Sequence, residues 1–200
     1  MVVRNGNPSI DGRVRRGERN REAIVDALLE LLESGVARPS AREIADAAGV
    51  SLRSVFQHFD DLETLYGALV ARQTERVARF AVDVDRDAPF AERLASFAEQ
   101  RARFYEQVSP VRRATLLVAH DSPTLQRALA DTAARHAREV SAAFAPELRG
   151  AHTPADLRAA IVAATSWETW ERLRRTQRCS AEQARRVVVA LVEGVVAAGV

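Results

Sequence analysis

The stretch "AREIADAAGVSLRSVFQHF", Ala41 to Phe59, reads as two short helices separated by a glycine. Neither segment is long enough to be stable alone, because isolated helices shorter than about 12–15 residues are marginal in water. Ile44, Ala48, Val50, Val55 and Phe59 form one apolar set across both segments. Ala45 is small where two steeply crossing helices approach closest. Gly49 sits at the turn, where a positive φ is needed. This is the pattern of a helix-turn-helix. The pair lacks a core of its own, so Ile24, Leu28 and Leu31 of a preceding helix must supply the third wall.

With Val55 and Phe59 turned inward, Arg53, Ser54 and Gln57 point outward, near Ser51 and Leu52 at the start of the second helix. A major groove about 12 Å wide admits one helix, and there Arg pairs bidentately with guanine and Gln with adenine. Ser reaches phosphate or a base, and Leu52 suits a thymine methyl. The same pattern also fits a helical hairpin in a bundle with a polar outer face.

The signals around this stretch are helical throughout. Ile24, Ala27, Leu28, Leu31 and Leu32 recur at helical spacing and predict a helix from Arg19 to Ser34, stopped near Gly35. Ser40 with Glu43 is a capping box, Ser51 caps the next helix, and Asp60 with Glu63 opens a fourth that reaches about Asp85. Beyond it, Ser109-Pro110, Ser122-Pro123 and Thr153-Pro154 each place Pro at a first helical position, Ala88-Pro89 does so less well, and Ser180 with Gln183 gives another box. The expected helices are 90–107, 110–120, 123–145, 154–177 and 181–198. The fold class is all-α with about nine helices. The domain division is a flexible basic arm over 1–17, a helix-turn-helix domain over 18–62, and a larger helical domain over 63–200.

Residues 1–22 hold Arg4, Arg13, Arg15, Arg16, Arg19 and Arg21 against Asp11, Glu18 and Glu22, with three glycines and a proline. Such a stretch cannot pack. It reads either as an arm contacting nucleic-acid phosphates or a minor groove, through Arg13, Arg15 and Arg16 above all, or as a solvated tail. The chain as a whole has a net charge of +2, so it is not broadly basic. All 29 basic residues are Arg. A single cysteine, Cys179, excludes an intrachain disulfide and suits a reducing cytoplasm. There is no apolar run of 18 residues and no signal-peptide stretch, so neither a membrane partner nor export is expected.

Chemistry is sparse. His120-Asp121-Ser122 contains triad residue types, but adjacent residues do not generally give triad geometry. The four His and one Cys show no metal-ligand spacing, and there is no phosphate loop. The expectation is a non-enzyme with no cofactor and no metal.

"PSAREIADAAGVSLRSVFQHFDDLETLYGAL", Pro39 to Leu69, resembles the N-terminal domain of TetR-family transcriptional regulators, as does the preceding "IVDALLELLESG". The resemblance covers residues 19–70. It implies a ligand-responsive regulator, in the commonest case a repressor, with a DNA-binding head on a helical effector-binding and dimerisation domain. Its partners would be double-stranded palindromic operator DNA, a second copy of itself and a small, mostly apolar effector. The implied DNA-binding residues are Arg42, Ser51, Leu52, Arg53, Ser54, Phe56, Gln57 and His58. Two positions depart from the family pattern: Phe56 stands where Tyr is common, and Leu62, in "FDDLETL", where Lys is common. Both changes remove a phosphate contact. They motivate the rival reading, a helical protein-interaction module whose helix-turn-helix no longer binds DNA.

The last two helices are the dimer surface by the same resemblance. Leu157 and Ile161 mark one face of the first, while Val188, Leu191, Val192 and Val195 belong to the wide apolar sector of the second. For the effector, Phe97, Phe104, Leu117, His120, Trp167 and Trp170 are candidates among helices four to eight, with Arg101 and His136 as polar anchors inside apolar stripes. A snorkelling Arg and a satisfied core His are the alternatives for that last pair.

Overall fold

The computed structural model describes residues 8–80 and 83–199, with side chains from Arg15 onward. Ten α-helices run among them: α1 Pro8–Glu33, α2 Ala41–Ala48, α3 Leu52–His58, α4 Leu62–Val77, α5 Phe90–Leu116, α6 Pro123–Ala143, α7 Ala145–Gly150, α8 Pro154–Ala164, α9 Trp167–Glu171 and α10 Ala181–Ala198. The described residues include no strand, and no helix among them is long and apolar enough to cross a membrane.

The chain divides into two compact units. The first takes the residues up to Arg76 together with Pro110–Gln126, and the second takes Val77–Ser109 with the rest from Arg127. The boundary expected at residue 62 therefore moves. Leu65 and Leu69 of α4 are buried with α1, α2 and α3 in one core, which Val111 and Ala114 complete. Arg72 of α4 holds Asp26 of α1 with two hydrogen bonds of 2.6 and 2.5 Å, and this pairing keeps the Asp26 carboxyl below the usual aspartate range.

Five local expectations change, the fourth helix among them, since α4 ends at Val77 and not near Asp85. The first helix starts at Pro8, not Arg19, so residues 8–17 of the expected arm are helical. Residues 1–7, Arg4 among them, and the side chain of Arg13 lie outside the described residues.

The Ser109-Pro110 signal does not start a helix, because α5 runs through it. Ser109 is buried and turns its hydroxyl back onto the Tyr105 carbonyl at 2.6 Å, so it does not cap the residues after it. Trp167 Nε1 donates to the same hydroxyl at 2.9 Å. The apolar stripe through Val108, Val111 and Ala114 stays buried across the proline.

The expected helix 154–177 is broken at Thr165, where Ser166 caps α9 with its side chain accepting from Thr169 N. Past Glu171 the chain is π-helical over Arg172–Thr176. Finally, the expected helix 123–145 ends at Ala143, and α7 comes after Phe144.

The second unit has two apolar clusters. One gathers Ala98, Tyr105, Trp167, Trp170, Leu173, Cys179 and Val188. The other gathers Leu94, Phe97, Val140, Phe144, Leu157, Ile161 and Val192. A buried ion pair ties α5 to α7. Arg93, 3 % exposed, donates from Nε to the Ala88 carbonyl at 2.9 Å and from Nη1 to the Ala143 carbonyl at 2.5 Å, and its Nη2 meets Glu147 at 2.5 Å. Removing one partner of such a pair strands the other charge. Glu147→Ala is expected to destabilise this unit by about 3 kcal/mol in urea unfolding. A change within about 0.5 kcal/mol would mean that the two carbonyls alone satisfy Arg93.

Candidate functional site

The first short helix is held by its ends. Ser40 accepts from Glu43 N through its hydroxyl at 3.2 Å, and Ser40 N donates to Glu43 Oε2 at 2.8 Å. Ser40 N and, at 2.7 Å, the Ser40 hydroxyl both donate to the Glu43 carboxylate and draw it below the ordinary glutamate range, so the box is complete above that range and is lost as the pH falls through the lowered value. Gly49 closes α2 in the left-handed region, φ 66°, with its N–H directed at the Ala45 and Asp46 carbonyls. Two residues on, Ser51 opens α3 by accepting from Ser54 N at 3.1 Å. The turn is thus fixed by a left-handed glycine between two capped ends.

The two faces of α3 separate cleanly. Val55 is buried, and Phe59, just past the helix, is buried with the Arg21 guanidinium 4.9 Å above its ring. Outward stand Ser51, Leu52, Arg53, Phe56 and Gln57, all exposed, with Arg42 exposed on α2. Ser54 and His58 are half-buried. Arg15 and Arg16 are exposed on α1. The sequence names all of these positions, Arg42, Phe56 and His58 through the family resemblance, but it does not give how far the apolar ones protrude. Phe56 is 60 % exposed and Leu62, at the start of α4, 63 %.

The expected effector residues divide between the two units. Phe97, Arg101, His136, Trp167 and Trp170 are buried in the second unit, with Phe104 half-buried beside them. Leu117 and His120 belong to the first unit and are exposed there, His120 lying 2.9 Å from Asp121, so they do not join that group. Within the second unit, α5, α6 and the end of α8 meet around polar atoms. Tyr105 donates to the Thr165 carbonyl at 2.7 Å and lies 3.3 Å from His136 Nδ1, whose Nε2 is 3.0 Å from Thr165 Oγ1. Arg101 sits on α5 among aromatic rings and is ion-paired with Glu139 of α6. Tyr105, Glu139 and Thr165 were not singled out from the sequence. Glu139 lies three residues from His136 on one helix, but only the pairing of α5 with α6 gives that spacing a meaning.

The first unit also carries a cleft of about 300 Å³ against α1, α2 and α4, bordered by Leu28, Leu32, Ile44, Leu65 and Tyr66. None of the eight expected effector residues borders it.

Of the expected dimer residues, Leu157, Ile161, Val188 and Val192 are buried in the unit's own core, which covers the faces that a second subunit was expected to cover. Val195 is half-buried against the same core, and Leu191 is exposed at 43 %.

The turn glycine yields a stability test. Gly49→Ala forces a Cβ into the left-handed region, and a loss of about 1–2 kcal/mol is expected in chemical denaturation. An unchanged midpoint would mean the turn tolerates another conformation.

No protein-family model and no curated protein sequence matches the chain. Solved structures do. A TetR-family transcriptional regulator from Streptomyces coelicolor superposes with a TM-score of 0.69 at 23 % identity, covering 90 % of this chain and 83 % of that one. A transcriptional regulator from Rhodococcus sp. Rha1 gives 0.65 at 21 % identity, covering 91 % and 96 %. A protein from Mesorhizobium loti MAFF303099, described as a TetR-family transcriptional regulator, gives 0.60 at 22 % identity, covering 92 % and 99 %. The chain has the all-helical fold of the TetR-family transcriptional regulators.

Proposed function

We propose that the chain is a ligand-responsive transcription regulator of the TetR type and not an enzyme. In this reading it is a homodimer that binds a palindromic double-stranded operator and acts as a repressor released by a small, mostly apolar effector. The observation that carries the reading is α3: seven residues long, capped at Ser51, buried through Val55, and exposing Leu52, Arg53, Phe56 and Gln57 on its other face. Arg42, Arg15 and Arg16 supply exposed positive charge for the phosphates, which fixes position without reading sequence.

The effector site in this reading is the polar cluster of the second unit, with Arg101 or His136 as the anchor. The linkage is reciprocal: a ligand that prefers one state weakens DNA binding by the factor by which DNA weakens its own binding, about 5–150-fold for typical couplings. The second reading, a protein-interaction module, draws on the exposure of Phe56 and Leu62, two apolar side chains where phosphate contacts would favour polar ones.

Selection of bound fragments from genomic DNA separates the two, since only the regulator enriches a palindrome. On the selected site, Arg53→Ala is expected to cost about 1–3 kcal/mol and to relax one base position in each half-site. Equal loss on unrelated DNA would move Arg53 to the phosphate contacts. Replacing Arg15 and Arg16 by Ala should flatten the dependence of log K on log salt by about 0.9 for each phosphate contact removed.

The dimer rests on exposed Leu191. Leu191→Glu is expected to give a folded monomer in light scattering, because the side chain stands outside the chain's own core. A folded wild-type monomer at high concentration would exclude the dimer.

A further inference from the structure

Two arginines of α5 are buried beside a carboxylate, and they differ in how completely they are satisfied. All three nitrogens of Arg93 have partners, two carbonyls and Glu147. Arg101, two turns on and 6 % exposed, is ion-paired through Nη2 with Glu139 Oε2, yet its Nε has no hydrogen-bond partner among the described residues. Three aromatic rings surround the guanidinium, with centroids 5.5 Å away for Phe97, 5.5 Å for Phe104 and 5.6 Å for Tyr105. The Arg93 pair is a finished strut, whereas Arg101 keeps donor capacity unused in an apolar box.

The two members of the pair also differ in access. The Arg101 side chain is 7 % exposed and that of Glu139 24 %. Glu139 lines a small cavity of about 70 Å³ together with Arg86 and Asp83. The carboxylate can therefore turn outward while the guanidinium cannot.

We propose that Arg101, set among the rings of Phe97, Phe104 and Tyr105, is a carboxylate-binding residue, that Glu139 occupies it at rest, and that an effector carboxylate takes its place. The exchange selects its own ligand class. A neutral molecule that displaced Glu139 would leave a buried guanidinium unpaired, which is strongly unfavourable, whereas a carboxylate restores the pair and reaches Nε as well. The aromatic surroundings of Arg101 are apolar, which suits an aryl or alkyl body beside the acid group. The released Glu139 meets Arg86 across the small cavity, against the opposing charge of Asp83. This deepens the regulatory reading above and rests on it for its biological meaning, while the site itself is testable without DNA.

The test is calorimetry on the full chain with phenylacetate, 3-phenylpropionate and octanoate, each against its primary amide. At least one acid should bind and its amide should bind at least about tenfold more weakly, since only the acid re-pairs Arg101. Glu139→Gln removes the internal competitor's charge and should tighten acid binding roughly tenfold. Arg101→Met should abolish it with the helical melt retained, because Glu139 is then free to face water. Acids and amides binding alike, no acid binding at all, unchanged affinity in Glu139→Gln, or binding retained in Arg101→Met would each overturn the proposal; the last would move the acid elsewhere, with the cleft of the first unit the first place to look. A chain that binds acid but no operator would overturn the regulatory reading and leave the site standing. A chain that binds operator but no acid would do the reverse.

Discussion

Helices of eight and seven residues cannot hold themselves up, and the first unit is organised around that constraint. Their inner residues, Ile44, Ala45 and Val55, have value only when a wall stands behind them. The wall is α1, with Ile24, Leu28, Leu29 and Leu32, and α4, with Leu65 and Leu69. The Arg72–Asp26 pair joins the two halves of that wall. Because α3 borrows its stability, its other face is left to solvent and partners. The outer residues are thus free to be chosen for recognition rather than for packing.

The second unit solves a different problem, that of polar groups inside helices already committed to apolar stripes. Each solution is a directional hydrogen bond, several of them between helices far apart in sequence. Ser109 bonds back to its own helix and receives Trp167, and Tyr105 reaches the carbonyl at the broken end of α8. Arg174 grips Glu106 with two hydrogen bonds, which raises the already high pKa of its guanidinium, and Trp170 donates to the same carboxylate. Such networks specify one packing because every member has few alternative partners.

Much of the first unit was legible in the sequence because its signals are local. A capping box, a glycine in the left-handed region and an apolar set at helical spacing each announce themselves within four residues. Both faces of α3 emerged from period alone. The second unit was less legible because its decisive facts are long-range. Ser109-Pro110 carries the signal of a helix start, and the structure overrides it because Ser109 is needed by Trp167, 58 residues away. Leu157, Ile161, Val188 and Val192 are apolar enough for an interface or a core, and only the pairing of α8 with α10 decides for the core. Likewise, the Arg101–Glu139 pair becomes visible once α5 and α6 lie side by side, since nothing in either helix alone names the other.

The placement of the aromatic and sulfur-bearing residues bears on how unfolding of this protein is observed. Both tryptophans and the lone cysteine lie in one cluster of the second unit, with Cys179 7 % exposed. Indole fluorescence and thiol-reagent kinetics are therefore reporters of that cluster. A first unit that opened on its own would leave both signals nearly unchanged, and the transition they record would describe part of the molecule as though it were the whole. The two units carry their optical and chemical labels unequally, so their cooperativity becomes measurable when these signals are set beside one that senses every helix, such as far-ultraviolet ellipticity. Coincident curves would mark one cooperative body, and separated curves two.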